Sequence, residues 1–360
     1  MRMHTALACL LSMLAACATG HHATQKAAFP TTASAIAFAN LDAQIDRQGD
    51  EPGVEELLLT RARFLSDDQA LDRAVALSES RAGSGGELLR RARARSAVHR
   101  FQEALEDLEA AGMFGAPPAE LLSLRGSILV ALGRADEAVP DLEGSATRHP
   151  TPSVWASLAA GYASLGRFAE AELAYGEALA ALDTTLPFPS AWIEFARGTM
   201  WAEQGGDPAR GELLLRRAAD QLPEFVAANV HLAELEAARG DLLAATARLE
   251  RVAAHSRDPE ALATLGVLHA RAGEPARGGC EILLARERYE SLLARHPQAF
   301  ADHAAEFYLG PGADPERAWM LAQLNLAVRP TDRALTLAIR AAEASGRLEE
   351  ARALAGRGRR

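Results

Sequence analysis

A unit of about 34 residues recurs along this 360-residue chain, and that repetition constrains the fold more than any single motif does. Residues 119–151 contain Gly126, Gly133-Arg134, Glu137-Ala138 and Pro150. Residues 152–185 contain Trp155, Leu158, Tyr162, Gly166-Arg167-Phe168, Glu170-Ala171 and Ala178. Residues 226–259 contain Leu232-Ala233, Gly240-Asp241-Leu242, Ala245 and Val252. Each segment reads as a helix of about 13 residues, a Gly-Arg or Gly-Asp turn and a second helix. One such pair cannot bury its own apolar face, so stacked neighbours must build a continuous core.

The same phase extends outward. Residues 85–118 give Ala92, Phe101, Ala104 and Ala111, and residues 51–84 give Leu57, Leu58 and Ala70 without a glycine turn. Residues 186–225 give Trp192, Ala196, Ala218 and Pro223, with about three extra residues at the turn. Residues 259–298 give Leu265-Gly266, Gly273 and Pro297 with a longer second helix, and residues 299–331 give Ala318 and Pro330. A last unit starts near Asp332, for about nine units in all. Asp-Pro at 207–208, 258–259 and 314–315 predicts helix starts, with Asp capping free amides and Pro at the first helical position. Gly133, Gly166, Gly240 and Gly346 predict left-handed helix ends. Glu349, Glu350, Arg352 and the Arg357–Arg360 tail give the last helix the polar outer face of a cap. Composition agrees: 49% of residues are hydrophobic but only 5% aromatic, too few for an all-β protein, whereas alanine, leucine, arginine and glutamate favour helix. The expected fold is all-α. A net charge of −10 argues against general nucleic-acid binding.

Trp155, Leu158, Tyr162, Ala171 and Ala178, with Pro150, Pro223, Pro297 and Pro330 at unit ends, resemble the tetratricopeptide repeat. The resemblance covers residues 51–360 and is strongest over 119–259. It implies an α-solenoid of about nine helix-turn-helix units in a right-handed superhelix. First helices of such units line a concave surface, which here would include Arg93, Ser127, Ile193, Arg197, Trp201, Val230, Glu234, His303 and Phe307. Arg197 near Trp201 would suit a carboxylate and an apolar group of a peptide. The family's two-carboxylate clamp does not carry over, because it uses lysine and the only lysine is Lys26.

The chain starts Met-Arg-Met-His-Thr and continues with an apolar run from Ala6 to Ala16, about half of what spans a membrane. Leu14-Ala15-Ala16-Cys17 resembles the bacterial lipoprotein signal. That resemblance implies removal of residues 1–16 and lipid on Cys17, and Ala18 resembles the outer-membrane sorting choice. Residues 17–50 are then expected as a tether and 51–360 as the solenoid. Of three cysteines, Cys9 leaves with the signal and Cys17 carries lipid, so Cys280 has no disulfide partner and is expected as a small buried residue. No other stretch is apolar enough to span a membrane.

No catalytic motif stands out: there is no Gly-x-x-x-x-Gly-Lys, no Gly-x-Ser-x-Gly and no His-Glu-x-x-His. Asp302, His303 and Glu306 form an irregular polar stretch, with Glu306 and Asn325 at positions usually held by small residues. A buried Glu306 and Asn325 would need partners, each other among them. The functional expectation is a non-catalytic scaffold or assembly factor, lipid-anchored to the envelope on the periplasmic side of the outer membrane. A protein or peptide would bind its concave face, with no metal, cofactor, nucleic acid or small-molecule substrate. The alternatives are an adaptor for cell-wall enzymes or signalling proteins, and an enzyme with a site around Asp302–Glu306.

Overall fold

The computed structural model describes residues 32–81 and 83–357, so the signal run, Cys17 and residues 358–360 of the arginine tail lie outside the described residues. A first helix, α1 (Ser34–Gln48), precedes the repeats. Nine helix pairs follow among the described residues. They are α2 (Val54–Leu65) with α3 (Asp68–Glu79), α4 (Gly85–Ala97) with α5 (Phe101–Met113), and α6 (Pro118–Ala131) with α7 (Ala135–Arg148). Next come α8 (Pro152–Ser164) with α9 (Phe168–Ala180), α10 (Pro187–Thr199) with α11 (Pro208–Gln221), and α12 (Val226–Ala238) with α13 (Leu242–Ala253). The last are α14 (Pro259–Arg271) with α15 (Pro275–Arg295), α16 (Pro297–Leu309) with α17 (Pro315–Val328), and α18 (Asp332–Ala344) with α19 (Leu348–Arg357). This is the all-α solenoid of tetratricopeptide-like pairs that the repeat implies.

The local signals act as the chemistry requires. Asp207, Asp258 and Asp314 accept hydrogen bonds from the amides of Arg210, Ala261 and Arg317 at 3.0, 2.9 and 3.0 Å. Gly133, Gly166, Gly240 and Gly346 turn with φ of 74°, 71°, 90° and 76°, the left-handed region where a side chain is strained. The first two pairs lack a turn glycine and use Ser66 (φ 50°) and His99 (φ 58°) instead. The extra residues after α10 are absorbed by a π-helical turn, Met200–Gln204, a device by which helices carry insertions. Cys280 corrects the expectation of burial: it is exposed on α15.

Successive first helices pack on one another (α2 on α4, α4 on α6, α6 on α8, α12 on α14, α14 on α16, α16 on α18). Successive second helices do not pack to the same degree, so the stack curves with first helices inside. The curve closes. Arg288 and Arg295 of α15 each reach Asp68 at 2.7 Å, and His296 reaches Asp72 at 2.7 Å. Ser256 Oγ donates to the Leu65 carbonyl at 3.1 Å, and His99 Nδ1 lies 3.0 Å from the Gln298 carbonyl. Burial alone would push the Asp68 carboxyl up, but Arg295 and Arg288 more than reverse it and hold it below its ordinary value. Residues 34–48, expected within the tether, belong to this closure. Phe38 and Ile45 of α1 are buried with Phe64 of α2, Phe188 and Leu215 of α10 and α11, and Phe225 before α12.

Phe64 is the centre of that cluster, 4.7 Å from Phe225 and 5.3 Å from Phe188 between ring centroids. Removing a buried ring costs the transfer of its atoms plus a cavity, about 3–5 kcal/mol. Phe64→Ala is expected to lower the unfolding free energy by that amount in denaturant titrations; a loss below about 1 kcal/mol would contradict the packing.

Candidate functional site: the inner face

Few of the sequence-predicted concave residues are free to meet a partner. Ile193, Val230 and Phe307 are buried between units. Arg93 bridges Glu56 at 2.6 Å and Glu120, tying α2, α4 and α6 together. Ser127 Oγ lies 2.9 Å from Ser157 Oγ and donates to the Ser123 carbonyl at 3.1 Å. The carboxylate expected near Arg197 and Trp201 is the chain's own. Glu172 takes the Arg197 guanidinium and the Trp201 indole N–H (2.9 Å), while Arg210 stacks 4.0 Å over the Trp201 ring. Burial would raise the Glu172 carboxyl, yet these donors bring it down to about 2. That knot is therefore already satisfied.

The polar stretch on α16 also differs from expectation. Asp302 is buried and pairs with Arg329 at 3.1 Å. Glu306 is not buried against Asn325. It stands on the inner face with Arg333 of α18 at 3.7 Å. Asn325 is buried and its Oδ1 has no partner among the described residues. The two never form a pair because Glu306 points to the hollow, while Asn325 sits inside the α17 packing.

What Asp302, His303 and Glu306 join is a larger cluster drawn from five units. His303 Nδ1 lies 3.4 Å from Glu260 of α14. His231 Nδ1 of α12 lies 3.3 Å from Glu203 of the π-helical turn and 3.8 Å from Glu234. Arg333 also reaches Glu203 at 3.4 Å. Enclosure and like charge then act on the titrations. Asp302 and Glu260 raise His303 to about 10, so it stays protonated and is a poor general base. Burial opposes ionisation of Glu260, but His303 outweighs it and the carboxyl falls to about 2. Burial lowers His231. Glu234 goes the other way: burial, then Glu260, Glu203 and Glu306, push it up to about 7. No guanidinium lies within ion-pair reach of Glu234 among the described residues, and its side chain, though enclosed by these groups, keeps contact with solvent in the hollow.

Glu203, His231, Glu260, Arg329 and Arg333 were not singled out from sequence. A signal did exist. His231-x-x-Glu234 and His303-x-x-Glu306 recur in the middle of first helices two units apart, and Glu260 and Arg333 are each the second residue of a first helix. Among the described residues no group of three or more potential ligands is arranged to hold a metal ion.

No protein-family model and no curated protein matches the chain. Solved structures do. A tetratricopeptide repeat protein from Parabacteroides merdae is similar at 17% identity and a TM-score of 0.41, covering 70% of this chain and 93% of that one. PilW, a type IV pilus biogenesis factor, is similar at 19% identity and a TM-score of 0.40, covering 62% of this chain and 99% of PilW. The Cut9-Hcn1 hetero-tetramer of the APC/C gives 17% identity and a TM-score of 0.48, with 86% of this chain and 67% of that one covered.

The folded protein holds the Glu234 proton more tightly than the unfolded chain does. Its ionisation therefore costs stability as pH rises from about 4.5 towards 7, and the cost stays constant above that. Glu234→Gln is expected to raise the melting temperature at about pH 8, by less than ~1 kcal/mol in stability for so accessible a group, and to leave it unchanged at about pH 4. Equal effects at both pH values would contradict the like-charge crowding.

Proposed function

We propose that this chain is a non-catalytic binding scaffold of the bacterial envelope. It is fastened by lipid on Cys17 to the periplasmic side of the outer membrane, and it holds a basic segment of a partner protein on its inner face. The observation that carries the binding part is the acidic cluster. Four carboxylates (Glu203, Glu234, Glu260 and Glu306) share the hollow with the cations His303 and Arg333, the Asp302–Arg329 pair is buried behind them, and Glu234 is left without a guanidinium. A guanidinium or ammonium from outside would relieve that crowding, and a preformed rigid surface lowers the ordering cost of binding. The anchor rests on the apolar run before Cys17 and on Leu14-Ala15-Ala16-Cys17. Two or more acyl chains would make the attachment stable.

A photoreactive residue placed at position 234 tests the inner face in cells, with the same residue at Leu243, which is 86% exposed on α13, as the outer control. The expected result is a discrete adduct from position 234 alone, reduced when a second variant carries Glu306→Arg; adducts of equal yield from both positions would contradict the reading. Cys17→Ser tests the anchor separately: the protein should move from the membrane to the soluble fraction, and retention in membranes would exclude lipid on Cys17.

A further inference from the structure

Where the first pair closes on the seventh and eighth, a cavity of about 190 Å³ remains. It lies between α2–α3 and α14–α16 and reaches the inner face through Glu260 and His303. A cavity of about 150 Å³ takes one benzene ring, so this one has room for a single side chain. Leu71, Leu292 and Phe300 supply apolar wall. The cations at the wall are committed or peripheral. Arg288 gives one terminal nitrogen to Asp68 at 2.7 Å while its buried Nε meets no partner among the described residues, His303 faces Glu260 at 3.4 Å, and Arg257 is exposed at the rim.

Besides the Arg288 Nε, two polar groups in the wall lack a full set of partners. Asp258 accepts the Ala261 amide at 2.9 Å with one oxygen, and no basic side chain lies within ion-pair distance of it among the described residues. Burial, with Glu260 adding to it, pushes its carboxyl up against the opposing pull of the Ala261 amide and the Ser66 hydroxyl. Tyr289 is only 2% exposed, lines the cavity, and its hydroxyl meets no hydrogen-bond partner among the described residues. A hydroxyl shielded from bulk water without a partner is costly, and here it lines the same wall as a carboxylate that has no cation, over an apolar floor.

We propose that this cavity binds one cationic group, an amine or guanidinium on a short apolar stem. The cation meets Asp258 and the Tyr289 hydroxyl, and the stem lies on Leu71, Leu292 and Phe300. The group is either a basic side chain of the segment held on the inner face, which rests on the function proposed above, or a free small molecule of the same chemistry. Either would bridge the two ends of the closure and tighten it, because the wall comes from both.

The test uses the full chain with n-butylguanidinium and n-butylamine as probes and valerate as the anionic control, read by melting temperature and titration calorimetry. A saturable rise in melting temperature with either cation and none with valerate is expected. Asp258→Asn, which keeps a good helix cap, and Tyr289→Phe, which keeps the buried ring, should each weaken binding about tenfold or more. Absence of a saturable shift, an equal response to valerate, or undiminished binding in both variants would overturn the site. A short peptide with one arginine, set against its alanine counterpart, separates the sources. If it binds more tightly than the free probe the ligand is a side chain, and if only the free probe binds it is a small molecule. Failure of crosslinking from position 234 alongside probe binding at the cavity would remove the partner reading and leave the cavity standing.

Discussion

Phe64, wedged between Phe188 and Phe225, holds the first helix pair against the middle of the chain, and the enclosure of the inner face follows from that contact. A solenoid of independent units has neighbour contacts only. This one adds contacts between residues about two hundred positions apart: Leu65 with Ser256, Asp68 with Arg288, His99 with Gln298. The aromatic cluster supplies the burial. The acidic edge of α3 meeting the basic end of α15 supplies register, since unlike charges on facing helices fit in one alignment and clash in others. With the ends joined, first helices face a hollow instead of open solvent.

The electrostatics of the hollow are a consequence. Carboxylates on an open concave surface would be screened by water and salt. Enclosed, they lose solvent and then perturb one another, which is why Glu234 is driven up while Glu260, next to His303, is driven down. The arginine-rich composition serves the same architecture. Basic residues total 38 with Lys26 the only lysine, and arginines bridge units throughout: Arg93 to Glu56, Arg197 to Glu172, Arg317 to Glu290. A planar guanidinium reaches two carboxylate oxygens with little loss of freedom, so it suits ties between helices better than an ammonium does. What the ties leave unpaired, chiefly Glu234 and Asp258, marks where the chain can take a charge from elsewhere.

The helix pairs were legible because they are written locally. Asp-Pro starts, turn glycines and small residues at close crossings each act within one unit, and they appear where the periodicity placed them. Two turns were not legible as such, because Ser66 and His99 take the left-handed conformation without glycine. The closure was invisible for a different reason. Asp68, Asp72, Arg295 and His296 look like an ordinary solvated helix surface, and only the distant curvature of the stack brings them together. The same long-range packing turned part of the expected tether into α1. It also decided the candidate site. Arg197 and Trp201 look like a receptor for a carboxylate until Glu172 of the preceding unit is found there, whereas Glu234 and His303 gained their meaning from residues in other units. The proposed envelope anchor rests on the N-terminal residues alone and is independent of all this.

Hydrogen exchange on the native protein tests the closure most directly. In a simple solenoid the terminal units open first and their amides exchange far faster than those of the middle. A closed stack predicts that amides in the centres of α2 and α3 exchange as slowly as those of α11 and α12, in one cooperative event. Exchange of α2 and α3 at the rate of frayed ends, with α11 and α12 still protected, would contradict it.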